Sequence, residues 1–124
     1  MLKAVGTNAV MSELETGEAM NAERSRARVI VIEDDERLRN YAMGALACAA
    51  EIEVVGDAGN LAAGLPLVDL MPDLALLDLG LPDGSGISVI EAIRAKVPGC
   101  RVLVFTVFED RASVLNTLKA GADG

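Results

Sequence analysis

The stretch Leu74-Ala75-Leu76-Leu77-Asp78-Leu79-Gly80-Leu81-Pro82-Asp83-Gly84-Ser85-Gly86 decides how the rest of the chain is read. Its first six residues are apolar except for one carboxylate. Its last seven include Pro82 and the glycines Gly80, Gly84 and Gly86, the composition of a turn-rich loop. A short apolar run of this kind suits a strand covered on both faces in a parallel sheet. A carboxylate inside it is expensive unless it is paired or functional. The stretch therefore predicts a strand over 74–79, with Asp78 at its carboxyl end and a loop beyond.

Upstream, Val29-Ile30-Val31-Ile32 is a second such run, followed at once by Glu33, Asp34 and Asp35. Leu38, Tyr41, Ala42, Ala45, Leu46 and Ala49 recur at helical spacing and predict a helix over 36–50. A strand is expected from Ile52 to Gly56. Asn60 is placed to cap a helix near 61–70, which Pro66 should shorten or kink. Downstream, Ile87, Ile90, Ile93 and Val97 mark a helix stopped by Pro98-Gly99, and Val102 to Phe105 a fourth strand. Asp110 is placed to cap a last helix carrying Val114, Leu115 and Leu118 and closed by Gly121. Strand alternates with helix four times, the pattern of a doubly wound α/β domain with a mainly parallel sheet. Residues 1–27 are polar and lack sustained periodicity. Val10, Met11 and Leu14 share at most one short helical face, so this part is read as a flexible or helical leader, with Met11 and Met20 as alternative starts. The domain proper is expected over 28–124.

The bulk composition narrows the function. A length of 124 residues fits one domain. A net charge of −8 and a pI near 4.4 argue against sequence-independent nucleic-acid binding by this segment. A DNA-binding domain elsewhere in a longer parent is compatible with this. No apolar run approaches the ~20 residues of a membrane span, and the first residues lack a signal-peptide pattern. The chain has no histidine, which removes His-based catalysis and His metal sites. Cys48 and Cys100 lie in apolar company and are expected to be small core residues of a reduced, cytoplasmic protein.

In open α/β sheets, ligands bind beyond the carboxyl ends of the strands. Three such ends carry polar residues: Glu33, Asp34 and Asp35 after the first, Asp78 after the third, Thr106 after the fourth. If these strands are neighbours, the groups converge in one crevice. Carboxylates so close raise one another's pKa unless a cation neutralises them. Hard oxygen ligands alone select Mg²⁺, or Mn²⁺, over zinc or copper. A carboxylate there can attack phosphorus and form an aspartyl phosphate. Taken singly, each residue has a simpler reading: Asp35 and Glu36 suit the first turn of a helix, and Asp78 could begin a turn.

These residues resemble the response-regulator receiver family of two-component systems, the CheY-like receivers. Val29 to Asp35 looks like its first strand and acidic pair, Leu76 to Gly86 like its phosphorylation loop, and Val102 to Thr106 like its switch-hydroxyl strand. Leu118-Lys119-Ala120-Gly121-Ala122-Asp123-Gly124 is similar to the segment entering its fifth strand. The resemblance implies a flavodoxin-like sheet of order 2-1-3-4-(5). It implies Asp78 as phosphoacceptor and Thr106 as switch hydroxyl. Glu33, Asp34, Asp78 and the Gly80 carbonyl would hold Mg²⁺ or Mn²⁺. A sensor histidine kinase or phosphotransfer protein would be the donor. The function implied is a phosphorylation-dependent signalling switch that assists its own phosphotransfer but is not a turnover enzyme. The alternative is a pseudo-receiver that binds partners without phosphorylation. A metal-dependent hydrolase with an Asp nucleophile usually needs a second acid two residues on, where Gly80 stands. Glu53 to Asn60 and Leu118 to Gly124 are similar in style to the subgroup fused to LuxR-type helix-turn-helix domains, so DNA would be reached only through an output domain absent here.

The chain also departs from the family. It stops before the fifth-strand lysine and the aromatic switch residue, which Lys119 does not replace. It is therefore expected to be a receiver truncated before strand five and helix five. Its fourth strand should be an open edge that favours a homodimer, a strand- or domain-swapped assembly, or cover by the leader. Val107 stands where the family usually has a small residue, which should narrow access to Asp78.

Overall fold

The computed structural model describes residues 26–105 and 111–124; the expectations placed on residues 1–25, Thr106, Val107 and Asp110 lie outside the described residues. Four strands form one parallel sheet: β1 (Ala27–Ile32), β2 (Ile52–Ala58), β3 (Leu74–Leu77) and β4 (Arg101–Val104). Their order is β2-β1-β3-β4, as the resemblance implies. Val29 pairs with Leu74 and Ile32 with Leu77, so β1 and β3 end level. Alternate side chains enter two cores. Val29, Val31 and Leu76 pack on one face with Ala42 and Ile52. Ile30, Ile32, Ala75 and Leu77 pack on the other with Val89, Ile90, Ile93 and Val102. Cover on both faces explains why these strands read as unbroken apolar runs.

The helix α1 spans Glu36–Ala47, with Asp35 as its N-cap; Asp35 Oδ1 accepts the Arg37 and Leu38 amides at 2.9 and 3.3 Å. It ends before residue 50 because the chain turns through Ala49, whose carbonyl accepts the Ile52 amide at 3.1 Å, and enters β2. Cys48 is therefore not a core residue. It sits exposed at the helix end with its thiol 3.5 Å from the Gly44 carbonyl. Cys100 does meet the expectation, and burial pushes its thiol up to about 11.

The expected helix over 61–70 is split. An α-turn, α2, covers Leu61–Gly64, and a 3₁₀ helix continues over Leu65–Leu70. Pro66 has no amide to extend the α-helical ladder and occupies the first turn of the 3₁₀ segment. β2 runs two residues past Gly56, where a Cβ would stand 2.8 Å from Leu67 Cδ2; glycine lets the 3₁₀ segment approach. α3 spans Ile87–Lys96 and α4 spans Arg111–Ala120, with Gly121 at φ 115° ending the latter.

The outer side of β4 is not the open edge expected from sequence. The Val104 amide donates to the Gly124 carbonyl at 2.7 Å, and the Val102 carbonyl accepts the Asp123 amide at 2.8 Å. Asp123 also accepts the Val102 amide through its side chain at 2.8 Å. Arg94 of α3 fixes this segment, donating to the Gly121 carbonyl at 2.6 Å and pairing with Asp123 at 2.8 Å. The edge on which strand-swapped association rested is thus occupied in part by the chain's own Asp123 and Gly124.

Candidate functional site

The acids converge because of the parallel register. The Asp78 amide donates to the Ile32 carbonyl at 2.9 Å, and the Glu33 amide to the Ala58 carbonyl at 3.0 Å. Each acid is thus the first residue past its strand yet still backbone-paired to the strand alongside. β3 ends at Leu77, so Asp78 follows the strand rather than lying inside it. Ligand oxygens of Glu33, Asp34 and Asp78 all lie within 4.8 Å of one another. Glu33 and Asp78 are only 4% and 8% exposed, whereas Asp34 faces solvent.

Burial first, with the neighbouring Asp78 charge and the Asp34 carboxyl adding to it, pushes the Glu33 carboxyl up from 4.5 to about 7, against the Asp35 amide, which donates to Glu33 Oε2 at 2.9 Å. Burial likewise raises the Asp78 carboxyl, and Asp34 adds to this; the Gly80 amide, 3.2 Å from Asp78 Oδ1, acts against them. Among the described residues, the ion pairs formed by Arg39, Arg94 and Lys96 involve none of these three carboxylates. Three hard carboxylate oxygens that repel one another, with no counter-charge paired to them among the described residues, fit a divalent cation. Oxygens about 2.1 Å from one Mg²⁺ lie at most about 4.2 Å apart, a spacing close to the limit within which this cluster lies.

The loop after Asp78 is folded back under it. Gly80–Leu81 pairs antiparallel with Gly84–Ser85 as a short hairpin. The Gly86 amide donates to the Leu79 carbonyl at 3.0 Å. A Cβ on Gly86 would fall 2.5 Å from the Asp78 carbonyl oxygen, so the loop closes this tightly only with glycine there.

Of the residues picked from sequence, Glu33, Asp34 and Asp78 are brought together, Gly80 meets Asp78 through its amide, and Asp35 serves as a helix cap. Thr106 lies outside the described residues. Two supporting residues were not picked. Arg39 donates to the Glu33 carbonyl at 2.6 Å and lies 3.2 Å from Asp57 on β2, holding the turn that carries the acid pair. Asp83 accepts the Leu61 and Ala62 amides at 2.6 and 2.9 Å.

Comparison with known proteins agrees with this architecture. The response regulator receiver domain family matches residues 29–124. The nitrate/nitrite response regulator protein NarL of Escherichia coli strain K12 is 37% identical over 99 residues, covering 79% of this chain and 46% of that protein. The DNA-binding transcriptional activator DevR/DosR of Mycobacterium tuberculosis is 34% identical over 98 residues, covering 78% of this chain and 45% of its own. The solved signal receiver domain of NarL from M. tuberculosis superposes with a TM-score of 0.72 at 35% identity, covering 78% of this chain and 79% of that one. A CheY-like receiver domain protein from Methanospirillum hungatei gives a TM-score of 0.73 at 26% identity, covering 79% and 78%. The chain belongs to the response regulator receiver domain family. It spans a little under half the length of these curated relatives. Among the described residues no helix is long and apolar enough to cross a membrane.

Proposed function

We propose that this chain is a phosphorylation-dependent switch whose acceptor is Asp78. The observation that carries the proposal is the buried pair Glu33 and Asp78 beside Asp34, unneutralised by any described cation, at the carboxyl ends of adjacent strands. Asp78 attacks the phosphorus of a phosphohistidine on a sensor kinase or phosphotransfer protein. The P–N bond breaks, an acyl P–O bond forms, and the imidazole takes its proton from solvent. Hydrolysis later returns the Asp78 carboxylate and inorganic phosphate, so the chain acts as a switch and not as a turnover enzyme. Glu33, Asp34, Asp78 and the Gly80 carbonyl would hold Mg²⁺, which when bound offsets the charge of the acids and of the incoming phosphoryl group. The Gly80 amide orients the acceptor carboxylate. Thr106 is proposed to hydrogen-bond the phosphoryl group once formed.

The acting unit is proposed as 28–124 with 1–27 a leader, in a cytoplasmic parent. Transcriptional control would run through an output domain beyond this sequence, since the relatives named are longer and one is a DNA-binding activator. The test is incubation with Mg²⁺ and acetyl phosphate, read by intact mass. Wild type should gain one phosphoryl group and Asp78→Asn none. A folded wild-type protein that gains none under conditions that phosphorylate a known receiver refutes the proposal and leaves the pseudo-receiver reading.

A further inference from the structure

The N-terminus of α2 is capped by a residue outside its own segment. Four amides at a helix start need acceptors from elsewhere. Ala63 finds the Asn60 side chain at 2.7 Å, while the Asn60 carbonyl accepts the first ordinary helical bond, from Gly64, at 2.9 Å. Leu61 and Ala62 instead donate to the two carboxylate oxygens of Asp83, 22 and 21 residues further along the chain. These two bonds lower the Asp83 carboxyl below its usual range. Asp83 lies at the tip of the hairpin between Leu81 and Gly84. The base of that hairpin is Gly80, whose amide meets Asp78 Oδ1. Its far arm leads to Gly86, which packs against the Asp78 carbonyl.

We propose that Asp83 is a positioning residue for the acidic site. Its two-oxygen clasp on α2 fixes the hairpin and so sets where Gly80 presents its amide to Asp78 and its carbonyl to the cation. This rests on the proposed Mg²⁺-dependent phosphorylation of Asp78. Two amides bound by one carboxylate define both the distance and the orientation of the hairpin tip, which a single bond would not. Without the clasp, Leu81 and Gly84 remain paired and Leu81 stays in the core, but the hairpin tip loses both of its bonds to α2. Groups that orient metal ligands from behind commonly change affinity or activity by roughly 10–100-fold when removed.

The experiment compares wild type, Asp83→Ala, Asp83→Asn and Asn60→Ala. Mg²⁺ affinity is read by ¹⁵N chemical-shift titration, and amide exchange at Gly80 and Gly86 is followed without metal. Asn60→Ala removes the local cap of the same helix without touching the hairpin, and so controls for simple helix weakening. The expected result is Mg²⁺ binding weakened roughly tenfold in Asp83→Ala, partly rescued in Asp83→Asn and unchanged in Asn60→Ala, with faster Gly80 exchange only in the Asp83 variants. Unchanged affinity in Asp83→Ala overturns the proposal, as does equal weakening in Asn60→Ala. If wild type binds no Mg²⁺, the phosphorylation reading fails. The exchange data then decide separately whether Asp83 fixes Gly80: faster exchange in Asp83→Ala supports the clasp, and unchanged exchange removes it.

Discussion

Raising the pH from about 5 to about 8 without divalent cations is predicted to destabilise this fold, with Glu33 as the main source. Its carboxyl is pushed up to about 7 in the folded state, against an ordinary value of 4.5. Between those values the folded protein keeps a proton that the unfolded chain has released. Stability therefore falls as pH rises. The favourable contribution is fully present below 4.5 and lost as pH passes about 7. At 1.36 kcal/mol per unit, the difference sets a ceiling of about 3 kcal/mol, and water at the rim of the site reduces this to about 1–2 kcal/mol. Asp78, also raised, acts in the same direction. The lowered Asp83 changes stability only as pH falls below 3.8, outside this window. Urea unfolding in the presence of a chelator, followed by circular dichroism, reads the change as a midpoint shift of roughly 1 M. Glu33→Gln keeps the side-chain shape and should flatten the profile, while Mg²⁺ should restore wild-type stability at the alkaline end. A wild-type midpoint that is constant or rises with pH, or a Glu33→Gln profile as steep as wild type, refutes the buried-acid account.

Two further outcomes follow from packing and loop closure. Gly86→Ala drives a methyl group against the backbone of Asp78 and Leu79, at 2.5 and 3.1 Å. It should cost about 1–3 kcal/mol in urea unfolding and weaken Mg²⁺ binding in the same sample, because the clash moves the acceptor itself. Ile90→Ala empties a fully buried position between α3 and the sheet. It should cost about 2–5 kcal/mol while leaving Mg²⁺ affinity of the folded fraction unchanged, so stability and site geometry separate.

Much of this was legible in the residues. Val29 to Ile32 and Leu74 to Leu77 announce buried parallel strands because sheet cover on both faces demands unbroken apolar runs. The acids that follow them meet because β1 and β3 are neighbours ending level. The break at Pro66 was visible too, since a missing amide acts locally. What escaped reading depends on contacts distant in sequence. Asp83 looked like one more turn residue, and nothing near it signals two amides 21 and 22 residues upstream. Cys48 looked like a core residue because its neighbours are apolar, but helix phase and an early turn put it outside. The pairing of Asp123 and Gly124 with β4 is accompanied by bonds from Arg94 to Gly121 and Asp123 that no local pattern predicts.

The central claim, that Asp78 is the acceptor, is tested most directly by locating the adduct. Borohydride reduces an aspartyl phosphate to homoserine, which peptide mass spectrometry finds by residue. After treatment with acetyl phosphate and Mg²⁺, reduction should place homoserine at position 78 and nowhere else. Reduction products at Asp34 or Asp35, or none in a folded protein, would contradict the account.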